Sequence, residues 1–325
     1  MERFYIFSPG RLKRRDNTLY FEGEKGSRFI PVEGVKEIYI FSEVDLNSKV
    51  LNFISQNGII LHVFNYYGYY SGSFVPRKPS ISGFLTVKQV EHYLDSEERK
   101  FLAASFVDGA IYHAVRNLKK RNVPEEELEE LRELPFHLYR ASSVSEIMAV
   151  EGKAKEIYYS LIDTLIEDEF FKIGKREKRP PSNAANALIS FVNSLVYTAT
   201  LSEIYKTQLD PTISYLHEPS TGRFSLSLDI SEIFKPLLGD SVIISLIKGK
   251  RLSRKDFDSS LNYAYLTEEG RKKVVSAFKE KLDTTVRHRK LKRNVSYRYL
   301  IRLECYKLIK HLIGETTYKP LKAWW

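Results

Sequence analysis

Along residues 1–75 the apolar positions come in short runs separated by turn-forming residues: Phe4–Phe7, Leu19–Phe21 after Asp16-Asn17, Glu37–Phe41 and Ile59–Phe64. That pattern predicts strands. One helix interrupts them, with a polar start at Val44-Asp45-Leu46-Asn47, an apolar face of Leu51, Phe53 and Ile54, and a stop at Asn57-Gly58. The segment Pro76-Arg77-Lys78-Pro79-Ser80 cannot continue a central strand, because each proline lacks a backbone donor. A linker is therefore expected over 76–86. From residue 87 onward the period becomes helical and is expected to stay so to residue 325. Tyr93, Phe101, Leu102, Phe106, Ile111, Tyr112 and Val115 predict a helical stretch from Glu91 to Arg121, ended by Asn122-Val123-Pro124. The expected fold is α+β: a β-rich domain over 1–75, then a larger all-α domain over 87–325.

Two helical stretches carry polar residues where apolar ones belong. Glu151 falls on the stripe of Ile147, Ala154, Tyr158, Leu161 and Leu165. A carboxylate facing a core must be paired, protonated or bound to a cation, since an isolated buried charge costs several kcal/mol. The stretch Ser182–Tyr205 is apolar on nearly every face except the line Asn183, Asn186, Ser190 and Asn193, which needs hydrogen-bond partners. Between these helices, the charged run from Lys172 to Pro181 reads as a mobile linker.

The densest chemistry lies between Tyr215 and Pro236. Pro219 and Gly222 punctuate a loop carrying His217, and Ser225 is placed to cap a helix whose buried face is Leu226, Ile230, Ile233 and Leu237. Asp229 and Glu232 are three residues apart on that helix, so they share a side and can converge near the His217 loop. Carboxylates with one imidazole suit Mg²⁺ or Mn²⁺ better than zinc. Taken singly, each of these features is also met as a structural salt bridge or a turn residue.

Charge sharpens the picture. The formal net charge is +10, and Arg271–Trp325 alone holds 16 Lys and Arg against 4 Asp and Glu, so the remainder nets to −2. The cluster Arg289, Lys290, Lys292 and Arg293, interleaved with Tyr297 and Tyr299, is suited to phosphate contact. A lone Cys305 excludes an internal disulfide and a thiolate metal site. No uninterrupted apolar run of membrane-spanning length is evident and Met1-Glu2-Arg3-Phe4 lacks a signal-peptide core, so a cytoplasmic protein without membrane contact is expected.

The order of motifs resembles the universal CRISPR-associated adaptation integrase family, "Cas-one", over essentially the whole chain. The residues that carry the resemblance are Glu151-Gly152-Lys153-Ala154, Arg179-Pro180-Pro181-Ser182-Asn183, Leu216-His217-Glu218, Gly222-Arg223-Phe224-Ser225-Leu226, Leu228-Asp229-Ile230-Ser231-Glu232 and Phe234-Lys235-Pro236. The resemblance implies that Glu151, His217 and Glu232 are metal ligands, with Asp229 a supporting acid. Family members often carry Asp at the last ligand, so which of Asp229 and Glu232 binds directly stays open. Arg223 and Lys235 join the basic cluster as expected DNA contacts. The implied activity is metal-dependent insertion of short foreign DNA into a CRISPR array by transesterification. The implied partners are DNA, a second copy of the chain and the small protein "Cas-two". The sequence also admits two rivals: a nuclease of branched or single-stranded DNA that does not integrate, and a catalytically silent DNA-binding scaffold. Seven aromatics, Phe4, Tyr39, Phe64, Tyr66, Tyr67, Tyr69 and Tyr70, exceed what a small β-domain is expected to bury alone, and suggest pairing of β-domains in a dimer.

Overall fold

A computed structural model describes residues 3–24, 26–77, 82–177, 181–261 and 263–325. Its N-terminal part holds β1 (Arg3–Ile6), β2 (Gly10–Arg15), β3 (Thr18–Gly23), β4 (Gly26–Ile30), β5 (Glu37–Ile40), β6 (Val44–Asp45), α1 (Ser48–Gln56), β7 (Ile60–Phe64) and β8 (Tyr70–Phe74). These form two four-stranded sheets, ordered β1-β5-β7-β8 and β4-β3-β2-β6. The first is parallel except for β8, which returns antiparallel from β7 through the turn at Gly68. Alternation puts Ile6, Leu12, Leu19, Phe21 and Ile38 into a core of their own, joined by Ile54 from α1. Asn47 caps α1 by accepting from the Val50 N–H, as the polar start predicts.

The helical part contains α2 (Gly83–Leu94), α3 (Ser96–Lys119), α4 (Glu129–Leu138), α5 (Val144–Thr164), α6 (Ala184–Tyr205), α7 (Ser225–Phe234), a π-helical turn (Lys235–Asp240), α8 (Ser241–Lys248), β9 (Phe257–Leu261), β10 (Tyr263–Leu266), α9 (Glu268–Asp283), β11 (Thr285–Arg287), β12 (Asn294–Ser296) and α10 (Tyr297–Leu312). Several expectations are corrected. The region is not helical throughout, since β9–β10 and β11–β12 form antiparallel pairs, and the basic cluster lies in the β11–β12 connection. The stretch over Glu91–Arg121 is broken at Asp95, whose carboxylate caps α3 by accepting from the Glu97 and Glu98 N–H groups. Helix α2 starts at Gly83, inside the expected linker, while Lys78, Pro79 and Ser80 lie outside the described residues.

Helix α6 is the centre of the fold. It is long and apolar enough to span a membrane, contrary to the expected absence of such a stretch, but 78% of its most apolar window is buried inside the protein, as in a core helix. Its polar line has a specific use. Asn186 Oδ1 accepts from Arg176 Nη1 (2.8 Å) and the Glu177 N–H (3.1 Å), and its Nδ2 donates to the carbonyls of Ile173 and Lys175. Asn183 caps the helix and donates to Lys172 and Ile173, and Ser190 accepts from Arg176 Nη2 at 3.0 Å. Residues 172–177, expected to be a mobile linker, are therefore hydrogen-bonded along α6. Arg179 and Pro180 lie outside the described residues.

The two parts share a buried interface. Tyr39, Phe41 and Phe64 belong to the helical core rather than to the strand core, with Phe41 edge-on to Phe191 at 5.8 Å. Beside them Glu37 and Glu203, both fully buried, meet Arg298, Lys206 and Arg302. Three cations on two carboxylates compensate the buried charge with hydrogen bonds, the condition under which such burial is tolerated. Several of the aromatics expected to face a second copy are thus used within the chain, Tyr39 and Phe64 in this interface, Phe4 in the strand core and Tyr70 against Tyr197, whereas Tyr66 and Tyr67, beside Tyr265, remain exposed.

Candidate active site

The continuous run from α7 through the π-helical turn to α8 brings the acidic groups to one place. Pro236 supplies no N–H to a regular α-helical ladder, and the wider turn it sits in aims Lys235 and Asp240 toward α5. Gly239 lets this run pack closely against α6, where a Cβ would lie 3.2 Å from Val192 and 3.3 Å from Val196 and push those side chains back. Facing this run, α5 presents Glu151 and Lys155, one helical turn apart. Glu151, Lys155, Tyr158, Glu232, Lys235 and Asp240 line a cavity of about 30 Å³, room for a single water or ion.

Charge in this cavity is finely balanced. Glu232 is 2% exposed, with Oε2 at 3.0 Å from Lys155 Nζ and Oε1 on the Lys235 ammonium. Burial pushes its pKa up, but Lys155, Lys235 and His217 outweigh that and hold it well below the usual carboxylate range. The Lys155 ammonium also pairs with Glu151 Oε1, a buried atom with no aligned hydrogen bond. Asp240 behaves oppositely. Burial, with Glu232 nearby, raises its pKa to about 7 despite Lys235 and Lys155, and its Oδ1 has no hydrogen-bond partner.

His217 is set by a loop clamped at several points. Asp229 Oδ2 accepts from the Tyr215 and Leu216 N–H groups (2.7 and 2.9 Å), and Oδ1 accepts from the His217 N–H at 3.0 Å and Nδ1 at 2.8 Å. The same loop is tied to α2 by Gln89, which exchanges bonds with Asp210, and to α3 by Arg99, which reaches the Tyr215 carbonyl and Glu218. With Nδ1–H committed to a carboxylate, the imidazole presents its Nε2 lone pair elsewhere, the arrangement that orients metal-binding histidines. Both Asp229 oxygens are thus engaged by the His217 loop. Ser225 does not cap α7, as the sequence suggested; it is the first helical residue, and its hydroxyl donates to the Thr212 carbonyl at 2.7 Å.

Of the residues singled out in the sequence, Glu151 and Glu232 meet through Lys155, and His217 lies near enough to Glu232 to affect its ionisation. The three side chains do not close to within 4.8 Å of one another; among the described residues only His92, Glu98 and His311 do so. Lys155 sits where the two carboxylates would share a cation. Two carboxylates, one of them with a buried oxygen lacking an aligned bond, and one oriented imidazole make a donor set that fits Mg²⁺ or Mn²⁺.

Next to this centre runs a groove of about 540 Å³ lined by Arg176, Arg223, Lys235, Tyr69, Tyr197 and Asn193. Lys235 lines both the groove and the acidic cavity, so the two meet there. Arg289, Lys290, Lys292 and Arg293 lie apart, between β11 and β12, where Arg289 stacks on Trp324 and Arg293 on Tyr299. Lys155, Arg176 and Asp240 belong to this region without being among the residues singled out in the sequence. The last had a legible signal, a lone acid in the apolar run Leu237-Leu238-Gly239-Asp240-Ser241-Val242.

Comparison with known proteins places these features in context. Residues 4–280 match the family model described as CRISPR associated protein Cas1. The "CRISPR-associated endonuclease Cas1 3" of Thermodesulfovibrio yellowstonii is 55% identical over 326 aligned positions, covering 100% of both chains. The structure of a CAS1 protein from Thermotoga maritima, 46% identical, superposes with a TM-score of 0.91 over 99% of this chain and 100% of that one. A casposase bound to integration product shares the fold at 19% identity, with a TM-score of 0.89 over 99% of this chain and 93% of that one.

Proposed function

The chain belongs to the Cas1 family, and from that premise we propose that it is a metal-dependent DNA nuclease and integrase of CRISPR adaptation. The observation that carries this reading is the junction at Lys235 of a cationic groove with a pocket of carboxylates. A polyanionic backbone is drawn along Arg176 and Arg223, while anionic groups at one end of the groove mark where a divalent cation would meet it. Glu151, Glu232 and His217 through Nε2 would hold the ion, and Asp229 positions the imidazole without binding. An ion held by these residues would supply alignment of a 3′-hydroxyl or water and compensation of the negative charge that builds up at the phosphate. Lys235, at the junction, is placed to contact a phosphate oxygen, and Arg176, fixed by Asn186 and Ser190, to orient the strand.

Joining both strands of a duplex needs two such sites. A homodimer would supply them, and the relatives' association with CRISPR supports a small adaptation partner of the "Cas-two" kind. The test is a strand-joining assay. Duplex DNA with free 3′-hydroxyl ends is incubated with a CRISPR-repeat target, with and without Mg²⁺ or Mn²⁺ and with and without that partner. Metal-dependent joined product supports integration; metal-dependent cleavage without joining supports a nuclease alone; binding indifferent to metal, with neither product, supports a scaffold.

A further inference from the structure

Away from this centre, His92, Glu98 and His311 bring one ligand atom each to within 4.8 Å of one another. They come from three helices: His92 from the last turn of α2, Glu98 from the first turn of α3 and His311 from the end of α10. His311 is 10% exposed, and its buried Nε2 lies 3.2 Å from Glu98 Oε2 without the alignment of a hydrogen bond. In a tetrahedral shell with bonds of about 2.0–2.1 Å, two donors sit about 3.3 Å apart. The separation seen here is close to that edge. His92 turns its Nδ1 to the Lys88 carbonyl at 2.9 Å, which leaves Nε2 as the lone-pair nitrogen, and its ring stands edge-on to His311 at 5.3 Å. A cavity of about 380 Å³ bordered by Lys88, Thr316 and Thr317 adjoins the three residues and leaves space for water.

We propose that His92, Glu98 and His311 form a second metal site, distinct from the candidate active site, for a divalent transition metal of the zinc class. Two imidazoles and one carboxylate with an open position match zinc's preference, whereas Mg²⁺ prefers an oxygen-dominated shell. The site staples the end of α10 to the α2–α3 corner. That corner also holds the His217 loop, since Gln89 lies one turn before His92 and Arg99 follows Glu98, so the staple stiffens the support of the active site from behind.

The full chain carrying His217→Asn, which weakens the candidate active centre, provides the background for the test. After treatment with chelator it is equilibrated with Co²⁺ or Zn²⁺ and the retained metal is counted, alongside visible absorption of the cobalt form and thermal unfolding with and without Zn²⁺. The expected result is one retained equivalent, displaceable cobalt by zinc, and a higher unfolding temperature with zinc. His92→Gln, at a half-buried position, and Glu98→Gln should each weaken retention at least tenfold and abolish the zinc-dependent shift. No retained metal in the parent, or undiminished retention in both variants, overturns the proposal.

Discussion

Lys155 places its ammonium 3.0 Å from Glu232 Oε2 and on Glu151 as well, so one side-chain cation bridges two carboxylates from different helices. The lysine occupies electrostatically the position a divalent ion would take. Binding the ion then displaces or shares this contact, and Lys155 acts as a competitor. Lys155→Gln should lower the Mn²⁺ concentration needed for half-maximal binding several-fold, while lowering the unfolding temperature of the metal-free protein by several degrees. An unchanged metal midpoint in calorimetric titration contradicts the bridging role.

Asp229 accepts three backbone N–H groups and the His217 ring, all within 3.0 Å. Its removal strands buried donors at about 1–3 kcal/mol each, so Asp229→Ala should destabilise the fold by roughly 3 kcal/mol or more and also impair catalysis through the misplaced His217. On the sequence alone this acid read as a milder auxiliary. Denaturant unfolding of the variant checks the larger effect, and wild-type stability argues against it.

Asp240 carries its proton to about pH 7 in the folded state because burial disfavours the charge. Between the ordinary carboxylate range and pH 7 the unfolded chain releases this proton while the folded chain keeps it. This group's contribution to stability therefore falls as pH rises through that window. Asp240→Asn should leave stability near pH 4 unchanged and raise it at pH 8, by up to roughly 4 kcal/mol for a three-unit shift. Parallel stability profiles for the two proteins across pH 4–8 would show that Asp240 ionises normally.

The basic cluster stands in the β11–β12 connection, with Arg289 and Arg293 stacked on aromatic rings that hold their side chains in place. Neutralising Arg289, Lys290, Lys292 and Arg293 together should weaken binding to unrelated duplexes alike and reduce the salt slope by up to about 4. An identical slope would assign the cluster to solvent or to a protein contact.

The β-to-helix order was legible, and so were three acids of the candidate centre, because they break a pattern: Glu151 interrupts an apolar stripe, and Asp229 and Glu232 share one side of a helix. The β-hairpins of the C-terminal half were not, because β11 and β12 are three residues long and β9, Phe257–Leu261, is polar in its middle, so neither hairpin offers the paired apolar runs that mark the N-terminal strands. The break at Asp95 escaped because the apolar spacing runs across it, and only the cap geometry marks the boundary. The role of the Asn183–Asn193 line was equally hidden. Asparagines on a buried helix announce that they need partners, but that the partners of Asn183 and Asn186 are the backbone of 172–177 and Arg176 is a tertiary fact.

Glu151, His217 and Glu232 are proposed to hold a divalent ion that enables phosphodiester chemistry. The most direct measurement is strand cleavage and joining by the Glu232→Ala protein, at ordinary Mg²⁺ or Mn²⁺ concentrations, with its fold verified by circular dichroism. No product above the metal-free background is expected, and the same for Glu151→Ala and His217→Ala, while DNA binding persists. Full activity of the folded Glu232→Ala protein would contradict it.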